Sequence, residues 1–216
     1  MRESRLPAHR AYGWLNVRGE ESRRGGRGSS ISNPIEARAV AALVARLEQA
    51  HAVNGVAATI GVIAFYSAQV REIFGALGRA RRRAAAAAEL TPRELAALCA
   101  VRPRTTVATV DAFQGAERDI MVLSFVRTNR GRNVGFLKDF RRLNVALTRA
   151  KHSLICVGDV VMLRAVGGDL GALVDDAAAR GRVARWREEN SGEGAGGRYV
   201  KLGVLDPRVL EAGFTV

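Results

Sequence analysis

Three stretches of this chain carry side chains able to do chemistry. In "TVDAFQGAERD", Thr109 to Asp119, Gln114 and Glu117 offer an amide and a carboxylate suited to sugar hydroxyls or a water, while Gly115 lets the backbone turn tightly or approach a ligand. In "RTNRGRNVGFLKD", Arg127, Arg130 and Arg132 can meet phosphates without reading bases. In "FRRLNVALTRAKHSLICVGD", Phe140 to Asp159, helical spacing puts Leu143, Ala146, Leu147 and Ala150 on one face. Arg142 and Arg149, seven residues apart, then point together along its flank, and two guanidinium forks so placed make a phosphate clamp. By spacing and composition alone each stretch has a second reading: a solvated turn, a soluble basic loop, and a pair of surface arginines.

The elements that must hold these stretches are short apolar runs alternating with helical segments. "ATIGVIAF" (Ala58 to Phe65), "DIMVLSFV" (Asp119 to Val126) and "SLICVG" (Ser153 to Gly158) are apolar on both parities, the pattern of parallel strands covered on both faces. "TTVATV" (Thr105 to Val110) reads as a fourth strand and "YGWLNV" (Tyr12 to Val17) as an edge strand. In "SNPIEARAVAALVARLEQA", Asn33 is an N-cap, Pro34 fits the first helical position, and Glu36 completes a start like a capping box. "SAQVREIFGALGRARRRAAAAAEL" begins a second helix, weakened by Gly75 and Gly78, and "LGALVDDAAARGRVARW" is a later one ending near Gly181. The alternation predicts an α/β domain with a mainly parallel sheet, in which ligands bind beyond the carboxyl ends of the strands.

Composition narrows the partners. A net charge of +13 points to a polyanion such as nucleic acid or a nucleotide, although the heavy use of arginine and alanine also fits a GC-rich genome. Cys99 and Cys156 lie far apart, which argues against a disulfide framework or zinc site and for a reducing, cytoplasmic-type compartment. No stretch approaches the ~18 apolar residues of a membrane span, and the isolated His9, His51 and His152 receive no catalytic role. No metal site is read in the chain. "EESRRGGRGSS" and "NSGEGAGG" read as loops or linkers.

In order and spacing, "TVDAFQGAERDIMVLSFVRTN" and "GFLKDFRRLNVALTRAKHSLICVGD" resemble motifs V and VI of the second RecA-like domain of superfamily 1 helicases. "GVIAFYSAQVREI" resembles motif IV, and "SNPIEA" the helix start before it. The nearest group includes the nonsense-mediated-decay RNA helicase, senataxin and the immunoglobulin mu-binding helicase. The resemblance covers residues 12–186, leaving 1–11 as an extension and 187–216 as a Gly-rich linker and tail.

The resemblance implies roles. Arg149 matches the arginine finger that reaches the γ-phosphate of ATP, and Glu117 the glutamate that contacts the ribose. Gln114 and Gly115 belong to the loop where ATP and nucleic-acid contacts are coupled, and Arg142 supports the site. Tyr66 and Gln69 line it. Some relatives place a second phosphate-contacting arginine directly after that glutamine, but here Val70 follows and Arg71 comes one residue later, turned by about 100°. Thr109, Asp111 and Arg127 fall on the nucleic-acid side.

ATP with Mg2+ would be held mainly by a first RecA-like domain, because the sequence contains no Gly-Lys-Ser or Gly-Lys-Thr of a P-loop. The expectation is therefore the C-terminal motor domain of an ATP-dependent DNA or RNA helicase, working on single-stranded nucleic acid and inactive alone. The alternative is a non-enzymatic nucleic-acid-binding or regulatory module.

Overall fold

Val, Ile and Leu on both parities of the runs Ile60–Ala64, 120–124 and 154–157 leave no face for water, and the chain accordingly builds a sheet covered on both sides. The computed structural model describes residues 11–23, 30–53, 58–87 and 105–186. Its elements are β1 (Ala11–Asn16), β2 (Ser22–Arg23), β3 (Ile31–Ser32), α1 (Pro34–Val53), β4 (Ile60–Ala64), α2 (Ser67–Ala87), β5 (Thr105–Thr109) and β6 (Arg118–Ser124). A 3-10 turn (Gly135–Lys138), α3 (Phe140–Leu147), β7 (Ala150–Gly158), α4 (Val160–Val166), α5 (Gly168–Ala179) and β8 (Val183–Arg185) follow.

Among these residues the main sheet has the order β5-β4-β6-β7-β1-β8, and every pairing is parallel. One face packs Val62, Ile120 and Ile155 against Val40, Leu43, Val44 and Leu47 of α1 and Ile73 and Leu77 of α2. The other packs Met121, Leu123 and Cys156 against Phe113, Leu143 of α3, Leu163 of α4 and Leu173 of α5. This is the α/β, RecA-like arrangement expected. No helix among the described residues is long and apolar enough to cross a membrane.

Four local expectations are corrected. β1 is not an edge strand: it lies between β7 and β8, with Trp14 and Leu15 buried on opposite faces. α5 stops at Ala179, close to the Gly181 where the helix was expected to end; Gly181, at φ +64°, turns the chain back, and β8, a strand the sequence reading did not include, lies beside Trp14–Asn16. The segment around Arg142 ends its helix at Leu147; the Thr148 hydroxyl donates to the Asn144 and Val145 carbonyls, and Ala150 already belongs to β7.

At the start of α1 only half of the expected capping box forms. Asn33 Oδ1 accepts from the Glu36 amide at 3.1 Å, but the Asn33 amide donates to Gln69 Oε1 at 2.7 Å instead of to Glu36. α2 runs through Gly75 and Gly78 without interruption. β2, inside the segment read as a loop, forms a short antiparallel pair with β3 just beyond it. Residues 24–29, 88–104 and 187–216, which include the Gly-rich linker and tail, lie outside the described residues.

Candidate functional site

The loop from Val110 to Glu117 must cross from the carboxyl end of β5 to the amino end of β6, and it does so over β4. Phe113 is its anchor: the ring is 1% exposed and lies against Gly61 of β4, where any Cβ would collide with it and with the Met121 sulfur. The turn is closed by the Phe113 amide on the Thr109 carbonyl (3.1 Å), the Gln114 amide on the Asp111 carbonyl (3.3 Å) and the Ala116 amide on the Phe113 carbonyl (3.1 Å). Gly115 takes φ +78°, a conformation open to glycine and strained for most other residues. With Phe113 pointing inward, Asp111, Gln114 and Glu117 point to solvent.

α3 lies beside this loop and runs in the same direction. Asp139 caps it, its carboxylate accepting from the Arg141 and Arg142 amides at 3.0 and 3.4 Å, and Leu143 and Ala146 are buried on the sheet. Loop and helix are tied at both ends. Near the carboxyl edge Arg142 pairs with Asp111 at 3.3 Å; near the amino edge the Arg118 amide donates to the Arg149 carbonyl at 3.1 Å. The Arg142–Asp111 pair is solvent-accessible, so it contributes at most about 1 kcal/mol and acts mainly by orienting.

The two arginines do not form a clamp. Arg142 is near the first turn of α3, held by Asp111, by Asp139 at 3.8 Å and over the Phe136 ring at 5.6 Å. Arg149 lies beyond the last turn, seven residues on, which in a continuous helix is about 10 Å away. Its Nε donates to the Val145 carbonyl at 3.0 Å and its Nη2 to the Thr148 hydroxyl at 3.1 Å, folding the guanidinium back on the polar groups of the helix end.

Three other candidates are in the interior rather than on an open surface. Gln69 is fully buried: its Nε2 donates to the Asn33 carbonyl (3.3 Å) and the Ser124 hydroxyl (3.0 Å), and its Oε1 accepts from the Asn33 amide. The Tyr66 hydroxyl accepts from Arg127 Nη1 (3.2 Å) and the Phe136 amide (3.3 Å). Arg127, 3% exposed, also grips Glu21 through Nε at 2.9 Å, so its guanidinium is taken up by the fold instead of facing a phosphate. Thr109 remains half-buried at the end of β5.

Sequence reasoning passed over two groups here. Glu36, read only as part of a cap, is completely buried: Oε1 accepts from the Ser124 hydroxyl (2.6 Å) and the Val126 amide (2.9 Å), while Oε2 has no hydrogen-bond partner among the described residues. Burial, only partly offset by those hydrogen bonds, raises its pKa to about 7. Val126 has φ +71°, and the Arg127 amide donates to the Phe125 carbonyl at 2.7 Å, which makes a strained γ-turn. Asn33 Nδ2 fixes that turn from the other side through the Val126 carbonyl at 3.3 Å. The other group is Phe113, for which the lone Gly61 in an apolar strand was the available signal.

Comparison with known proteins shows the family. An AAA domain family matches residues 2–161. The chain belongs to that family, in its superfamily 1 helicase form. This helicase-type domain is 52% identical over 75 residues to Helicase sen1 of Schizosaccharomyces pombe, covering 34% of the chain and 4% of that protein. It is 60% identical over 57 residues to the Regulator of nonsense transcripts 1 homolog of Neurospora crassa, covering 26% and 5%. It is 51% identical over 61 residues to the DNA polymerase alpha-associated DNA helicase A of Saccharomyces cerevisiae, covering 28% and 9%. In each case the shared stretch is a small part of a much longer relative.

Proposed function

We propose that this helicase-type domain supplies the second wall of an ATP site whose phosphates and Mg2+ are held mainly by a first RecA-like domain, and part of a track for single-stranded nucleic acid. One observation carries the reading: the hydrogen bond from Arg118 to Arg149 sets Glu117 and Arg149 side by side where two adjacent strands begin. Glu117 is exposed and suited to a ribose hydroxyl, and Gln114 and Gly115 continue the same open ridge.

Arg149 is the proposed finger. To reach a γ-phosphate its guanidinium must leave the Val145 carbonyl and the Thr148 hydroxyl, two hydrogen bonds worth about 1 kcal/mol each, which a phosphate oxygen replaces with stronger charge-assisted ones. The bound nucleotide supplies the phosphoryl group; a cation so placed stabilises charge in its transfer, worth ~10³ to 10⁵ in rate. Among the described residues no cluster of His, Cys, Asp or Glu could hold a metal ion. Thr109 and Asp111 are proposed on the nucleic-acid side, with Asp111 coupled through Arg142 to α3. Tyr66, Gln69 and Arg127 serve by positioning the loops that leave β4 and β6.

The test has two arms. The 216-residue chain alone should show no Mg2+-dependent ATP turnover. Joined to a P-loop domain of the family, Arg149→Ala should lower turnover at least ~10³-fold and leave single-strand affinity nearly unchanged. Turnover by the chain alone, or normal turnover in the variant, overturns the respective half. A non-enzymatic nucleic-acid-binding or regulatory module is the second reading, favoured by the net charge of +13; it predicts that Arg149→Ala changes no activity in either arm.

A further inference from the structure

β7 and β1 are neighbours whose chains leave toward opposite faces of the sheet. β7 passes into α4, packed with the Trp14 and Leu163 core, whereas β1 leads through β2 and β3 to α1 on the other side. Such a divergence opens a crevice at the carboxyl edge, the place where open α/β sheets take ligands. Here the crevice measures about 550 Å³ and lies between the segment after β1, the loop after β6 and α4.

The charges around it are not evenly spent. Glu21 is consumed by Arg127, by the Thr128 amide at 3.0 Å and by Asn129 Nδ2 at 3.2 Å. Asp159 accepts from the Thr128 hydroxyl at 2.9 Å and from the Val161 and Met162 amides at 3.1 Å each. Arg130 and Arg132, both exposed, have no side-chain partner among the described residues, against one exposed carboxylate, Glu20. Val161, 51% exposed, contributes an apolar wall together with Met162.

The loop carrying the two arginines is built. Asn129 Oδ1 accepts from the Asn133 amide and its Nδ2 donates to the Asn133 carbonyl, both at 2.9 Å, while the Arg132 amide donates to the Asn129 carbonyl at 3.2 Å. Arg132 sits at φ +51°, a conformation uncommon for a residue with a side chain and one that gathers at ligand-binding sites.

We propose that this crevice is a nucleotide-sized pocket for single-stranded nucleic acid, with Arg130 and Arg132 on successive phosphates and a sugar or base against Val161. The inference rests on the helicase reading above and adds a site to it: the phosphate-binding groups of the basic loop are Arg130 and Arg132, since Arg127 is committed to Glu21 and Tyr66. Contacts of this kind bind without regard to sequence.

Anisotropy titrations of the full chain with fluorescein-labelled oligo-dT and oligo-U across a range of salt concentrations test it. Each lost phosphate contact to a single strand removes about 0.7 from the slope of log K against log salt, so Arg130→Gln/Arg132→Gln should flatten the slope by about 1.4 and weaken binding ~25-fold at 0.1 M salt. Arg82→Gln/Arg83→Gln, which removes the same charge from exposed positions on α2, should leave the slope unchanged. Charge-matched polyphosphate should compete about tenfold or more less well than the oligonucleotide, because it brings nothing for the apolar wall. An unchanged slope in the pocket variant, or equal competition by polyphosphate, overturns the pocket while the helicase reading stands. No binding of either oligonucleotide by the unsubstituted chain removes the nucleic-acid reading and the pocket with it.

Discussion

The amide of Arg118 donates to the carbonyl of Arg149 at 3.1 Å, so the first residue of β6, which ends the polar loop, and the last residue before β7 are fixed by the backbone of two neighbouring strands. Side chains at Glu117 and Arg149 can therefore be exchanged without moving the frame that presents them. Arg149→Lys keeps the charge but not the planar fork. In a two-domain motor it should recover less than about a tenth of the turnover lost in Arg149→Ala, as measured by phosphate release; full recovery would show that charge alone suffices.

Phe113 is the pin that holds the Asp111–Glu117 loop on the sheet. Phe113→Ala should cost ~3 to 5 kcal/mol, as other buried phenylalanines do. Gly61→Ala presses a methyl into the same ring and the Met121 sulfur and should cost ~1 to 3 kcal/mol. Urea unfolding of both variants checks this, and a Gly61→Ala chain as stable as the parent would mean the loop rides higher than described.

Glu36 makes stability depend on pH. Its pKa rises from 4.5 in the unfolded chain to about 7 in the fold, so between these values the native state holds a proton that the unfolded state has released. The native state binding more protons, stability must fall as pH rises through that window and level off above it, by a total on the order of 3 kcal/mol. Glu36→Gln keeps an acceptor for Ser124 and Val126 and has no proton to lose. Comparing urea midpoints at pH 5 and pH 8, the parent should lose stability relative to the variant; parallel behaviour would show that Glu36 stays ionised throughout.

Gly135 stands at φ +55°, and a Cβ there would strike both the Arg127 guanidinium and the Tyr66 hydroxyl. Gly135→Ala should lower stability by ~1 to 3 kcal/mol, read as a fall of several degrees in Tm. The same variant should leave the Phe113 loop untouched, so hydrogen exchange is expected to speed up at the Phe136 amide and not at the Phe113 amide.

Much of the fold was legible because its signals are local. The core strands β4, β5, β6 and β7 show as apolar runs, and Asn33-Pro34 marks the start of α1 to the residue. What failed were matters of partnership. "YGWLNV" carries no sign that a three-residue strand from the far end of the domain will cover its other edge, and "RVARW", beyond the helix end near Gly181, is too short and too polar to announce itself as that strand. At the site, helical spacing joined Arg142 to Arg149 because nothing in that spacing announces that Thr148 will fold onto its own helix and end it. Arg127 and Gln69 looked like ligand groups because a polar residue beside a motif reads the same whether it faces solvent or a buried carboxamide, hydroxyl or carboxylate.

β1 takes its hydrogen bonds from strands made far later: Ala11 sits opposite Ser153, and Trp14 opposite both Cys156 and Val183. At ~5 to 20 residues per second of synthesis, the first strand waits on the order of ten seconds on the ribosome with Trp14 and Leu15 unsheltered. Sheet assembly can begin instead with β4, β5 and β6, whose chain separations are shorter; β1 can dock only once β7 exists, and β8, whose one strand partner among the described residues is β1, completes the edge after it.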